Sequence, residues 1–241
     1  MAIGFSLTHA THSARAQPAN LARLVAQTEA EAMEARSHYA YRQTVLIEEM
    51  GKNGLVAGQY REEREVIFSP AGERTEQLRG KPWMALARLR LTEEDFRDIR
   101  EVQPFLFTAD QLWLYETRFR GEEAADGIDC WLLEVKPRQT HQGMRLFEGM
   151  FWVDKRDFGV VKSSGRAVPQ ILSRKEENLF PAFTTFREKV DGKHWFPVHT
   201  HSDDVLHFSS GSIRQRMSIK YEQYQRFGAD STVTFDKPLV P

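Results

Sequence analysis

From Leu112 to Tyr224 apolar residues recur at every second position in run after run, and turn-forming residues separate the runs. Leu112–Arg120 leads through Asp126-Gly127 into Ile128–Lys136, and Leu146–Val153 leads through "DKRDFG" into Val160–Ala167. Phe183–Val190 meets Lys193–Thr200 at Asp191-Gly192, a pair that supplies the left-handed backbone a tight hairpin needs. Ile213–Tyr224 follows, with Ile213, Met217, Ile219 and Tyr221 on one face and Arg214, Arg216, Ser218, Lys220 and Glu222 on the other. Joints this short force neighbouring strands to run antiparallel, because a parallel partner needs a crossover of about a dozen residues or more. No strand–helix–strand alternation appears, so a parallel sheet is excluded.

The first part of the chain adds a helix and a hairpin. "PANLARLVAQTEAEAMEARS", Pro18 to Ser37, carries Leu21, Leu24, Val25, Thr28, Ala32 and Ala35 at helical spacing, and Pro18 suits a first turn. From Tyr39 the period changes to two; "GKNG" at Gly51–Gly54 turns the chain into a returning strand from Leu55 to Ser69, and a short strand follows at Arg74–Arg79. Pro82 to Leu91 reads as helical or irregular. Thr92 caps a short helix whose first turn holds Glu93, Glu94 and Asp95, where the helix dipole favours carboxylates, so this acidic cluster needs no catalytic role. These elements predict an α+β fold: a long, curved antiparallel sheet with an N-terminal helix before it and helical segments inserted in its middle. One domain is expected over 18–227, with 1–17 a signal-peptide remnant or flexible N-terminus and 228–241 a loosely ordered tail. Ala14-Arg15-Ala16 before Gln17 is similar to the end of a secretory signal, which predicts a periplasmic or otherwise exported protein.

Charge narrows the partners. With 33 Lys+Arg against 34 Asp+Glu there is no overall field to attract nucleic acid. Cys130 is the single cysteine; it has no disulfide partner within the chain and reads as a small buried hydrophobe. No phosphate-binding glycine loop or nucleophile elbow occurs, and no cofactor is implied.

"HTHSDDVLH" holds three of the 8 histidines and two aspartates. On a strand His199 and His201 share a face and Asp203 joins them, so the three, with His207, form the ligand set of an alternative reading as a metal-dependent hydrolase. The string is one residue short of H-x-H-x-D-H, with Asp204 where a histidine is required. The competing reading makes "HSDD" the polar exit of a hairpin into a turn.

Aromatic side chains fall on both faces of several strands. In "RLFEGMFWVD", Leu146, Met150 and Trp152 oppose Phe147, Phe151 and Val153; in "KHWFPV", Trp195 and Pro197 oppose Phe196 and Val198. A sheet apolar on both faces must be covered on both or line a cavity on one. The order of elements, together with "ENLFPAFTTFREKVDGKHWFPVHTHSDD", "IRQRMSIKYEQYQRF" and "GMFWVDKRDFGVVKSSGR", resembles the LolA/LolB-like fold of lipoprotein carriers, which implies an unclosed β-barrel with the N-terminal helix and inserted helical segments as a lid. The likeness in architecture spans Ala19 to Phe227 and that in motif Phe147 to Phe227. It implies a non-enzymatic binding or carrier protein for a lipid or lipidated protein, which shelters an acyl chain worth ~0.8 kcal/mol per buried CH₂. The cavity-lining candidates are Trp83, Phe105, Phe107, Trp113, Phe151, Trp152 and Trp195. A third reading is an envelope interaction or sensor domain.

Overall fold

A computed structural model describes residues 17–69, 73–104, 107–140, 144–172, 177–178 and 180–227. Residues 1–16 of the predicted 1–17 segment, the predicted tail 228–241, and Phe105 lie outside the described residues. Helix α1 (Leu21–Arg36) is followed by β1 (Tyr39–Met50), β2 (Val56–Phe68), β3 (Arg74–Leu78) and β4 (Trp83–Ala85). Helix α2 (Glu93–Arg97) continues into a π-helical turn at Asp98–Val102, and a 3-10 helix spans Ala109–Leu114. Then come β5 (Tyr115–Ala125), β6 (Ile128–Pro137), β7 (Leu146–Asp154), β8 (Val160–Val168), a small ribbon of β9 (Ile171–Leu172) and β10 (Glu177–Asn178), β11 (Phe183–Lys189), β12 (Trp195–Phe208) and β13 (Gly211–Arg226).

Eleven strands form one antiparallel sheet in the order β3-β2-β1-β13-β12-β11-β8-β7-β6-β5, with β4 added against β2. Its antiparallel order is what the alternation predicted, and it is not closed into a barrel, as the family resemblance implied. Asp126 and Gly127 both have positive φ, the geometry of a tight turn whose twist suits the flanking strands. Thr92 and Asp95 make a reciprocal cap at the start of α2, which accounts for the acidic cluster there.

Four segments depart from the sequence reading. The tight hairpin expected at Asp191-Gly192 is a five-residue loop, 190–194, in which Gly192 has positive φ and the Asp191 carboxylate accepts from the Lys193 and His194 N–H groups. Trp83–Ala85, read as helical or irregular, extends the sheet by pairing with Gln59–Arg61. The strand expected from Leu112 begins at Tyr115, because Leu112–Leu114 belong to the 3-10 helix. The polar exit expected at "HSDD" is continuous strand: His199–Phe208 pair with Lys220–Gly211, and Ser209-Ser210 make the turn. Asp203 and Asp204 have cross-strand partners, so neither needs a turn to satisfy its carboxylate.

Alternation sorts the side chains onto two faces. The inner face carries Tyr41, Val45 and Ile47 of β1, Met217, Ile219 and Tyr221 of β13, and Trp131, Leu133 and Val135 of β6, all buried. Phe147 and Phe151 of β7 stack at 5.3 Å, and Phe147 lies over the paired glycines Gly149 and Gly165, where an added Cβ would overlap its ring. α1 covers part of this face through Leu21, Val25, Ala26 and Ala32.

The same buried face of α1 carries a carboxylate. One oxygen of Glu29 accepts from the Val160 N–H at 3.4 Å, and Arg187 of β11 supplies an opposing charge. Burial raises the Glu29 pKa above 4.5, against the pull of Arg187. A carboxyl raised on folding stabilises fully below its unfolded value, and that share is lost as pH rises above 4.5 through the folded value. Urea unfolding of wild type and Glu29→Gln at about pH 4 and about pH 8 is therefore expected to show wild type losing ground to the variant at the higher pH. A relative gain there would mean that the Glu29 carboxylate is favoured in the fold.

Candidate functional site

The inner face is not covered to its end. Where β5 and β6 finish the sheet, a hollow of about 350 Å³ opens between them and the first turn of α1. Its apolar wall is Leu21 and Ala22 of α1, Leu112 of the 3-10 helix, Phe119 of β5 and Leu133 of β6. Phe119 and Leu133 are register partners, so their side chains rise from the same face. Arg23 and Asn20 stand on its rim. The hollow exists because α1 starts level with these strands, and the Pro18 and Asn20 carbonyls, accepting from Leu21 and Leu24, fix where it starts. Its size falls at the lower end of the range of roughly 300–1,000 Å³ usual for small-molecule pockets.

The six described aromatic candidates do not meet in one cavity. Phe107 and Phe151 are buried 5.8 Å apart, and Phe107 also touches Tyr115 at 5.6 Å; these rings fill the core. Trp195 and Trp152 belong to the outer face. Trp195 packs with Ala125, Cys130 and Val161 and donates to Asp157, while Trp152 donates to Glu123 and lies under the Lys162 ammonium. Cys130 belongs to this cluster; burial pushes its thiol up to about 11, which makes it unreactive at neutral pH. Trp83 and Trp113 are each 64% exposed, on β4 and at the end of the 3-10 helix. The sequence reading missed the residues that line the hollow, although one cue was present: Phe119 stands between Arg118 and Arg120 on an alternating strand.

His199 and His201 do share the outer face of β12, with their rings 5.8 Å apart. Their other contacts are those of a packed sheet surface. His201 stacks on Phe186, and His199 Nε2 is 3.1 Å from Ser218 Oγ. The Asp203 carboxylate accepts from Arg214 at 2.7 and 2.8 Å and from Arg216 at 3.1 Å, and these guanidiniums hold its pKa down to about 2. His207 pairs with Ser212. Among the described residues no group of three or more His, Cys, Asp or Glu side chains is placed to hold a metal ion. The metal-hydrolase reading is not supported: the carboxylate it needs is occupied by two arginines.

No family model and no curated protein matches the chain. Solved structures do align with it. A DUF1329 family protein from Desulfovibrio piger is 14% identical over 85% of this chain and 95% of its own, with a TM-score of 0.36. A LolA superfamily protein from Nitrosomonas europaea is 16% identical over 83% and 94%, with a TM-score of 0.34. A putative outer membrane lipoprotein-sorting protein domain from Vibrio parahaemolyticus is 12% identical over 84% and 92%, with a TM-score of 0.37. Two of the three carry the kind of name that the sequence resemblance gave. At these scores they carry no argument about function, which rests on the geometry of this chain.

The pairing of Asp203 sets the expected response to metal. A site saturated at 100 times its dissociation constant would stabilise the fold by about 2.7 kcal/mol. Excess zinc is expected to leave the melting temperature unchanged. A rise of several degrees, abolished by His199→Ala with His201→Ala, would show that the two histidines recruit a metal despite the arginines.

Proposed function

We propose that this chain is a non-enzymatic binding protein that takes the acyl group of a lipid or lipidated protein at the open end of its inner face. The observation that supports this reading is the hollow between α1 and the β5–β6 end of the sheet, with an apolar wall of Leu21, Leu112, Phe119 and Leu133 and Arg23 at its rim. A hydrocarbon chain laid against this wall leaves water, and a carboxylate or phosphate head group faces the guanidinium. The proposal keeps the ligand class that the sequence resemblance implied and moves the site. The centre of the inner face is filled by Phe107, Phe147, Phe151 and Trp131, so a guest enters from the edge.

Export to the periplasm belongs to the same reading. Among the described residues no helix is long and apolar enough to cross a membrane.

Native mass spectrometry with myristate, alongside displacement of an apolar fluorescent probe, tests the proposal. One bound acyl chain per protein is expected. Phe119→Glu replaces part of the apolar wall with a charge at a half-exposed position and is expected to weaken binding by roughly tenfold or more. No bound acyl chain together with no probe displacement would remove the proposal; binding unchanged in Phe119→Glu would move the site elsewhere.

A further inference from the structure

The outer face holds a second hollow, of about 400 Å³, above β2, β1 and β13. Register builds its floor in two rows. Arg61, Leu46, Ser218 and His201 stand side by side across four strands, and the next row is Glu63, Thr44, Lys220 and His199. Leu46 gives an apolar centre, Thr44 and Ser218 supply hydroxyl groups, and Arg61 and Lys220 stand on opposite sides. One strand lies between these two cations and their rows are two residues apart, so their backbones are roughly 12 Å apart on the diagonal, a gap that two long side chains can close on a small anion.

The charges around the hollow are not all matched. Arg42 at its margin pairs with Glu63 and Glu65, and Arg79 pairs with the same two carboxylates, so that group is internally balanced. Asp203 on the far side is held by Arg214 and Arg216. Among the described residues Arg61 and Lys220 have no ion-pair partner. Glu222, the remaining carboxylate of the lining, stands opposite Arg42 in register rather than opposite Lys220.

We propose that this outer-face hollow binds a phosphate group, carried by a soluble molecule or by a lipid head group, through Arg61, Lys220 and the hydroxyls of Thr44 and Ser218. Three cations line the hollow against Glu63 and Glu222, two of those cations have no ion-pair partner among the described residues, and the two hydroxyl groups line the same concave surface. His199 reports on the site through its contact with Ser218. Burial lowers its pKa, and the neighbouring His201 and Lys220 lower it further. The groups facing it are Lys220 and Ser218 of β13 and Phe186 of β11. Glu222 lies two residues along β13, and beyond Phe186 Lys162 is turned over Trp152. An anion bound between Arg61 and Lys220 offsets the repulsion from Lys220, so it raises the His199 pKa.

Histidine-selective NMR of the whole chain during titration with inorganic phosphate tests this site separately from the acyl hollow, which lies on the other face. The His199 pKa is expected to rise on saturation. Arg61→Gln and Lys220→Gln, both at exposed positions, are each expected to weaken binding roughly tenfold, and Glu222→Gln to strengthen it. Unchanged thermal melting of the three variants shows that folding is not the cause. A second arm measures sedimentation with phosphatidylcholine vesicles with and without phosphatidic acid. Binding confined to the phosphatidic acid vesicles, and lost in Arg61→Gln and Lys220→Gln, assigns the phosphate to a lipid head group. A response to inorganic phosphate assigns it to a soluble ligand. Neither response, or responses that the substitutions leave untouched, overturns the proposal.

Discussion

The pairing of β1 with β13 makes one sheet out of two meanders. β1 to β4 form one set and β5 to β8 with β11 to β13 the other, and the ladder from Tyr39↔Arg226 to Met50↔Arg214 is where they join. It is a contact between residues far apart in sequence, so the chain gains it only by closing a long loop, at an entropic cost that rises slowly with loop length. What offsets that cost is the inner face. Tyr41, Val45 and Ile47 lie beside Met217, Ile219 and Tyr221, and this apolar strip continues across the sheet to Trp131 and Leu133. α1 packs on the larger meander, through Glu29 on Val160 and Leu21 beside Leu112 and Leu133.

An open sheet has two edges, and the ends of its helical cover decide what is left accessible. Over the centre, rings from β7, β11 and the segment before β5 interlock: Phe147 lies between Phe151 and Phe183, and Phe107 between Tyr115 and Phe151. Over the last two strands α1 has begun only a turn earlier, and the apolar face is left concave and reachable. The acyl-binding account therefore follows from where one helix starts, rather than from the total of aromatic residues. The outer face follows a different rule. Its rows of Arg, Lys, Glu and His are tied by cross-strand ion pairs, and function is sought where that pairing leaves cations over.

Most of the sheet could be read from the sequence, because alternation and turn chemistry are local. Asp126-Gly127 and Asp191-Gly192 mark hairpins, and the opposed faces of Leu146–Val153 follow from parity alone. β4 was not legible: three residues are too few to show a period, and Trp83–Ala85 becomes a strand only through β2. The end of β12 was misread because Asp203 and Asp204 favour turns as isolated residues, while in the fold Asp203 meets Arg214 and Arg216 and Asp204 accepts from the Ala182 N–H. The hollow at α1 was missed for a similar reason. Leu21, Leu112, Phe119 and Leu133 are scattered in sequence, and only the strand order and the position of α1 bring them together.

The central claim is that a guest chain lies against Leu21, Leu112 and Leu133 while the middle of the inner face stays closed. Methyl NMR with a doxyl-labelled stearate reads this directly, because the spin label broadens the methyl groups close to it. The account predicts broadening at Leu21, Leu112 and Leu133, with Val45, Val66 and Leu206 unaffected. Broadening centred on Val45 and Ile219, or none at any core methyl, would contradict it.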